Sequence, residues 1–170
     1  MTNDKHWFIA YVKSCQERKT AELLSALGYE HYLPIQRELR QWSDRKKLVE
    51  RLVLPRMIFV RCTPVERIKT LEEISNIYRY MTNKGAYNPV VVPDAQMDAF
   101  RAMVEQSPRK VEIVMEPLAP GDHIKVVSGP LAGYDCEIVA VSGRRCYAVR
   151  LGALGTATMD FSVEDVRKTN

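Results

Sequence analysis

The sequence predicts an α+β protein in two parts, an α/β sandwich over residues 1–106 and a small β-barrel over residues 118–170, with a linker at 107–117. Three observations predict it. The first part alternates aromatic and β-branched runs with apolar stripes at helical spacing. The second part has no helical stripe, and its short β-branched runs recur roughly every ten residues between glycines. Between them, Ser107 to Pro117 is bounded by prolines and has neither pattern, as a linker would.

Taken in order, His6 to Ser14 (HWFIAYVKS) is rich in aromatic and β-branched residues and reads as a strand. Ser14 precedes Glu17 by three residues, the spacing of a capping box, in which each side chain accepts from the other's backbone amide. Ala21, Leu24 and Leu27 follow at helical spacing, with Leu23 widening the stripe, and Gly28 ends the helix where a left-handed residue is wanted. A helix from about Cys15 to Leu27 is expected. Glu30 to Gln36 is extended around Tyr32, Leu33 and Ile35. The next stretch, RELRQWSDRKKLVERL, is dense in Lys and Arg around a single Trp42, and Ser43-Asp44 in its middle supplies a turn. It predicts a charged hairpin arm. Such an arm either faces water or meets a nucleic-acid backbone or an acidic protein.

Leu52 to Val60 (LVLPRMIFV) is a strand without apolar/polar alternation, so both of its faces want cover. Pro55 cannot donate to a ladder and suits the strand's start or an edge. A strand buried on both faces in its own domain and a strand that is partly a docking surface both satisfy this pattern. Thr63-Pro64-Val65-Glu66 repeats the capping logic, with proline at the first helical position, and Val65, Ile68 and Leu71 are the expected buried stripe. Ile77 to Met81 is a short strand, Thr82 to Pro89 a loop, and Val90 to Val92 leads to Pro93 and a helix capped by Asp94, with Met97, Phe100 and Val104 on one face. Strand, helix, strand with hairpin, strand, helix, strand, helix is the order of a split β-α-β sheet, ferredoxin-like in outline. In the second part IKVV, CEIVAV, CYAVRL and TATMDF are the strands, punctuated by Gly129, Gly133, Gly143, Gly152 and Gly155.

Charge and composition narrow the function classes. Residues 1–106 carry 17 Lys and Arg against 13 Asp and Glu, and residues 107–170 carry 8 against 8, so the whole excess of +4 lies in the first part. That permits a basic face there and argues against a barrel that grips phosphates by itself. No apolar run approaches the ~20 residues of a spanning helix, and the N-terminus MTNDKHW has no basic region leading into an apolar core, so a cytoplasmic protein is expected. Cys15, Cys62, Cys136 and Cys146 are scattered and read as reduced, packed thiols. With His6, His31 and His123 equally dispersed, no metal spacing is present and no cofactor is expected. Cys15 near a helix start is the sole candidate nucleophile, and no His and carboxylate stand beside it in sequence. A non-enzymatic protein is the expectation.

Pro120-Gly121-Asp122-His123-Ile124-Lys125-Val126-Val127-Ser128-Gly129-Pro130-Leu131-Ala132-Gly133 resembles the KOW motif that closes proteins of the NusG transcription-elongation family. WFIAYVKSCQERK with the leucine-rich helix after it, YLP and then LPRMIFV, is similar to that family's N-terminal (NGN) domain. The likeness covers nearly the whole chain in the right order. It implies a ferredoxin-like NGN domain followed by an SH3-like KOW barrel, with Gly121, Asp122, Gly129, Pro130 and Gly133 as motif residues. It also implies an elongation or antitermination factor that binds bacterial RNA polymerase at the clamp helices and raises processivity, as a monomer without a membrane. By position, the resemblance assigns Tyr11, Leu54, Pro55, Arg56 and Met57 to the clamp-contacting face and Arg67, Lys69 and Thr70 to a segment meeting the opposite jaw. Lys13, Arg18 and Lys19 lie where specialised members approach the non-template DNA strand, and the barrel is where the family recruits Rho or a ribosomal protein. The compact first domain and charged arm are similar to specialised RfaH-like or capsule-locus (UpxY-like) paralogues that serve particular operons. This chain departs from the family in having Pro55-Arg56-Met57 where Pro-Gly-Tyr is usual, and Cys136 where the KOW motif often has glycine. The alternative is a KOW-containing ribosome-associated or RNA-binding protein.

Overall fold

The computed structural model describes residues 3–107, 109–129 and 131–161. In chain order the first elements are β1 (His6–Val12), α1 (Glu17–Ala26), β2 (Glu30–Tyr32), β3 (Ile35–Gln41), β4 (Lys46–Leu52), β5 (Met57–Cys62), α2 (Pro64–Glu73), β6 (Ile77–Tyr80), β7 (Val91–Val92) and α3 (Asp94–Gln106). After them come β8 (Glu112–Val114), β9 (Asp122–Lys125), β10 (Asp135–Val141), β11 (Arg144–Arg150), a 3-10 turn at Gly152–Leu154 and β12 (Thr156–Asp160). The chain divides into two units, Met1–Pro34 with Leu54–Asp94, and Ile35–Val53 with Ala95–Asn170.

The first unit holds an antiparallel sheet in the order β2-β5-β1-β6, with β7 also pairing with β1. Helix α1 links β1 to β2 and α2 links β5 to β6, which is the ferredoxin-like order of a split β-α-β unit. Phe8, Ala10 and Val12 alternate onto one face and join Ile58, Val60 and Cys62 of β5, Ile77 and Tyr80 of β6, Leu24 of α1 and Ile74 in one buried cluster. Period-two burial from two central strands is what an apolar face under helices requires. Phe59, on the opposite face, is buried as completely as Ile58, so β5 is covered on both sides.

Three local expectations are corrected. Leu52 to Val60 is not one strand: β4 ends at Leu52, β5 begins at Met57, and the chain turns between them at Pro55 and a left-handed Arg56 (φ 65°). The Ser14–Glu17 capping box does not form, because Cys15 is itself left-handed (φ 62°) and α1 begins only at Glu17, beyond the register the box needs. In α2 the box at Thr63 and Glu66 does form, with the Thr63 amide donating to Glu66 Oε2 at 2.8 Å and the Glu66 amide to Thr63 Oγ1 at 3.2 Å. That box fixes where α2 starts, but Val65 and Ile68 are 52% and 53% exposed. The inward positions are Arg67, Thr70 and Leu71: the Arg67 guanidinium lies over the Phe8 and Tyr80 rings, and the Thr70 hydroxyl is 2.7 Å from the Tyr80 hydroxyl.

In the second unit β3 and β4 form a separate two-stranded ribbon closed at Trp42–Arg45, where the Trp42 amide donates to the Arg45 carbonyl at 2.7 Å. Helix α3 buries Met97, Phe100, Met103 and Val104. The barrel strands run β8-β12-β11-β10-β9, all antiparallel, around a cluster centred on Val139, Cys146 and Ala148. The stretch read as a linker contains β8, which pairs with β12. Its preceding residues are pinned as well. Gln36 Nε2 donates to the Arg109 carbonyl at 2.6 Å, the Val111 amide donates to Gln36 Oε1 at 2.8 Å, and Arg51 donates to the Val111 carbonyl at 2.8 Å. A buried side-chain amide that satisfies two backbone groups leaves neither orphaned, so the base of the ribbon clamps this segment.

Candidate protein-binding surface

Tyr11 lies at the centre of the site. On β1 it is the register partner of Met57 on one side and of Arg79 on the other. The pairing of β1 with β6 carries a bulge at this point, so Tyr78 and Arg79 both fall on the Tyr11 side while Ile77 and Tyr80 stay in the core. The Tyr78 ring stacks on Tyr11 with centroids 6.1 Å apart, and the Arg79 guanidinium sits 4.4 Å above the Tyr11 ring. Tyr11 and Met57 are half-buried, and Tyr78 and Arg79 are exposed. Pro55 and Arg56 extend this surface, and both are exposed.

The turn below it is held from two sides. The Arg56 amide donates to Glu17 Oε1 at 3.0 Å, and the Val12 amide donates to the Arg56 carbonyl at 2.9 Å. Glu17 is buried, so its carboxylate is engaged in shaping the turn and not in capping α1. A non-glycine residue at φ +65° carries a steric cost of about 1 kcal/mol, which these two bonds offset. Leu54 is buried and supports the turn from beneath, presenting no surface of its own.

The remaining candidate residues scatter around this surface. Lys13 follows β1, its amide donating to the Asn76 carbonyl at 3.0 Å, and Arg18 and Lys19 are exposed on the first turn of α1. Lys69 is exposed, Arg67 is drawn onto the core aromatics, and Thr70 is fully buried with its hydroxyl donating to the Arg67 carbonyl. A side chain with no accessible surface cannot touch a partner, so within the segment assigned to the opposite jaw only Lys69 and the edge of Arg67 are available. Tyr78 and Arg79 were missed by sequence reasoning. Their signal is the i, i+3 burial of Ile77 and Tyr80 in a strand of four, which alternation excludes and a bulge explains.

The thiols divide differently from the expectation. Cys15 is exposed, while Cys62, Cys136 and Cys146 are buried. Burial pushes the Cys62 thiol up to about 12 and that of Cys136 up to about 11, so both are protonated and unreactive at neutral pH.

In the barrel, a Cβ on Gly121 would strike the Ile138 carbonyl, so only glycine fits where this segment crosses β10. Asp122 opens β9 opposite Ile138. Gly129 and Gly133 are left-handed (φ 83° and 89°) in the turn after β9, closed by the Gly133 amide donating to the Val126 carbonyl at 2.8 Å. Pro130 lies outside the described residues. Cys136 is accommodated inside the barrel at 3% exposure, in the strand pair with Ile124. Glu137 is held by Arg150 through a forked pair with contacts of 2.7 to 3.2 Å, and the same guanidinium donates to the Leu118 and Ala119 carbonyls. Among the described residues no helix is long and apolar enough to cross a membrane.

A search of curated protein sequences found no match. Among solved structures, a Thermotoga maritima NusG, described as "Domain interaction in Thermotoga maritima NusG", matches with a TM-score of 0.50 and 20% identity over 98% of each chain, a likeness of fold. An MjSpt4:Spt5 complex matches at a TM-score of 0.31 and 13% identity, covering 96% of this chain and 97% of that one, too low to bear on the fold. The family model described as "Transcription termination factor nusG" matches residues 5–101. That span is more than half of the chain, includes every strand and helix of the first unit, and makes this protein a member of the NusG family of transcription factors.

Proposed function

We propose that this chain is a transcription elongation factor that binds bacterial RNA polymerase through the surface centred on Tyr11. The observation that carries the reading is the row Met57–Tyr11–Arg79, flanked by Tyr78, Pro55 and Arg56, left half-buried to exposed on a sheet whose other positions on β1 and β5, the end residues His6 and Arg61 apart, are buried. Tyr, Arg and Met are the residue types enriched at the centres of protein interfaces, and an aromatic already stacked and topped by a guanidinium loses little entropy on docking. Family membership supplies the class of partner. The clamp helices of the polymerase are the contact, with Lys13, Arg18 and Lys19 turned to non-template DNA and Lys69 and Arg67 to the opposite jaw. The barrel is the part that recruits a further factor, Rho or a ribosomal protein, and operon-specific antitermination of the RfaH or capsule-locus kind is the form of activity we assign.

The test is binding of the full chain to bacterial RNA polymerase, followed by single-round transcription through pause and termination sites. Tyr11→Ala and Met57→Asp should each weaken binding by about 2 kcal/mol or more, the loss typical of an interface anchor, with circular dichroism unchanged. Increased read-through by the wild type would establish antitermination. More termination would keep the polymerase surface and reverse the regulatory sign, and unchanged affinity of both variants would remove Tyr11 and Met57 from the interface.

A further inference from the structure

Ten consecutive residues of the ribbon, Leu39 to Leu48, are all exposed. Its cross-strand register sets Arg40 directly opposite Lys47, and the next pair outward is Gln41 with Lys46. Like charges facing each other across an antiparallel pair destabilise it. Arg40 reaches Glu38 at 3.7 Å, but Glu38 also serves Arg51 at 3.5 Å, and among the described residues Arg45, Lys46 and Lys47 form no ion pair. The closing turn adds one anion, Asp44, and one large apolar side chain, Trp42, which is 54% exposed. An arm that only had to be soluble would interleave its charges and would not hold an indole in water. Four cations and an uncovered indole on one tip answer a polyanion that also offers flat rings.

We propose that the tip of this arm binds single-stranded nucleic acid, with Arg40, Arg45, Lys46 and Lys47 on consecutive phosphates and Trp42 stacked on an unpaired base. Stacking needs a base freed from its pair, which selects a single strand over a duplex. With the cations on phosphates and the indole on a base face, which every base has, the recognition is tolerant of sequence. This site shares no residue with the surface centred on Tyr11 and does not depend on polymerase binding.

The experiment uses the full chain and fluorescently labelled probes of about 20 nucleotides, longer than common single-strand site sizes. They are a deoxythymidine oligomer, a uridine oligomer and a duplex of equal length, titrated across salt concentrations, with polyglutamate as a non-nucleic polyanion. Trp42 fluorescence should be quenched on binding, against a constant background from Trp7, which is buried. Trp42→Ala should weaken single-strand binding by roughly 5- to 100-fold while Trp42→Phe retains most of it. Replacing Arg40, Lys46 and Lys47 together by alanine should lower the slope of log affinity against log salt by about 2, at ~0.7 per phosphate contact. All positions changed are exposed, and thermal melts by circular dichroism check that the fold is kept. Binding of either oligomer with quenching supports the site, and the tighter of the two names the strand. Absence of wild-type binding, duplex bound as tightly without quenching, wild-type affinity and salt slope in the folded triple variant, or tight binding of polyglutamate alone would each overturn it, the last in favour of an acidic protein.

Discussion

Arg56 occupies a backbone conformation that glycine adopts freely, at the position where the family usually has glycine. Arg56→Gly should therefore raise stability by about 1 kcal/mol in urea denaturation, with the slope of the transition unchanged, while removing one cation from the proposed docking surface. Glu17→Ala should act in the opposite direction. It leaves the Arg56 amide without its acceptor, at a cost of about 1–3 kcal/mol, and a drop in the urea midpoint would register it. The role of Glu17 was hidden by its own sequence context, since Ser14-x-x-Glu17 matches a capping box as well as Thr63-x-x-Glu66 does. The left-handed Cys15 separates the two cases, and that conformation has no marker in a cysteine. Gly28, by contrast, announced its left-handed φ of 80° and ends α1 where the sequence required.

At the level of elements, β1 and β5 were legible as strands from their runs of aromatic and β-branched residues, and the missing alternation in β5 matches its cover on both faces. The helices were legible in extent and less so in orientation. Val65 and Ile68 satisfy a helical stripe arithmetically, yet α2 turns them outward because the Thr70 hydroxyl and the Arg67 guanidinium both find partners at Phe8 and Tyr80. Polar side chains that offset their own desolvation by pairing can displace aliphatic ones from an interface, and hydrophobicity counting does not see this. The bulge that exposes Tyr78 and Arg79 was likewise invisible, being a property of two strands together. The clamp of Gln36 and Arg51 on residues 109–111 joins positions more than 55 apart in sequence. Gln36→Ala should leave the Val111 amide and the Arg109 carbonyl unpaired, and hydrogen exchange at Val111 should accelerate several-fold or more while exchange in β1 stays unchanged. Gly121→Ala meets the Ile138 backbone, which cannot give way within a sheet, and should destabilise the barrel by about 1–3 kcal/mol, read as a lower melting temperature.

Across the whole molecule the buried thiols set a limit on alkaline stability. Cys62 and Cys136 stay protonated in the fold up to about 12 and about 11, whereas an exposed thiol ionises near its ordinary 9.0. The unfolded chain therefore sheds these protons first. Their contribution is intact below pH 9 and is lost as pH rises from there toward the folded values, at ~1.4 kcal/mol per pH unit for each thiol. Melting temperature followed from pH 8 to 11 should fall, and Cys62→Ala, though less stable at neutral pH, should fall less steeply.

The clamp on residues 109–111 also changes the polymer physics of the barrel. A free chain of eleven residues, the length of the predicted linker, would let its end wander by about 18 Å, making the barrel a tethered probe that samples partners by diffusion. With 109–111 fastened to the ribbon and β8 already committed to the barrel, only residues 107 and 108 separate α3 from the fastening. The slack is a few ångströms, and the barrel is held at a fixed mooring unless Gln36 and Arg51 let go.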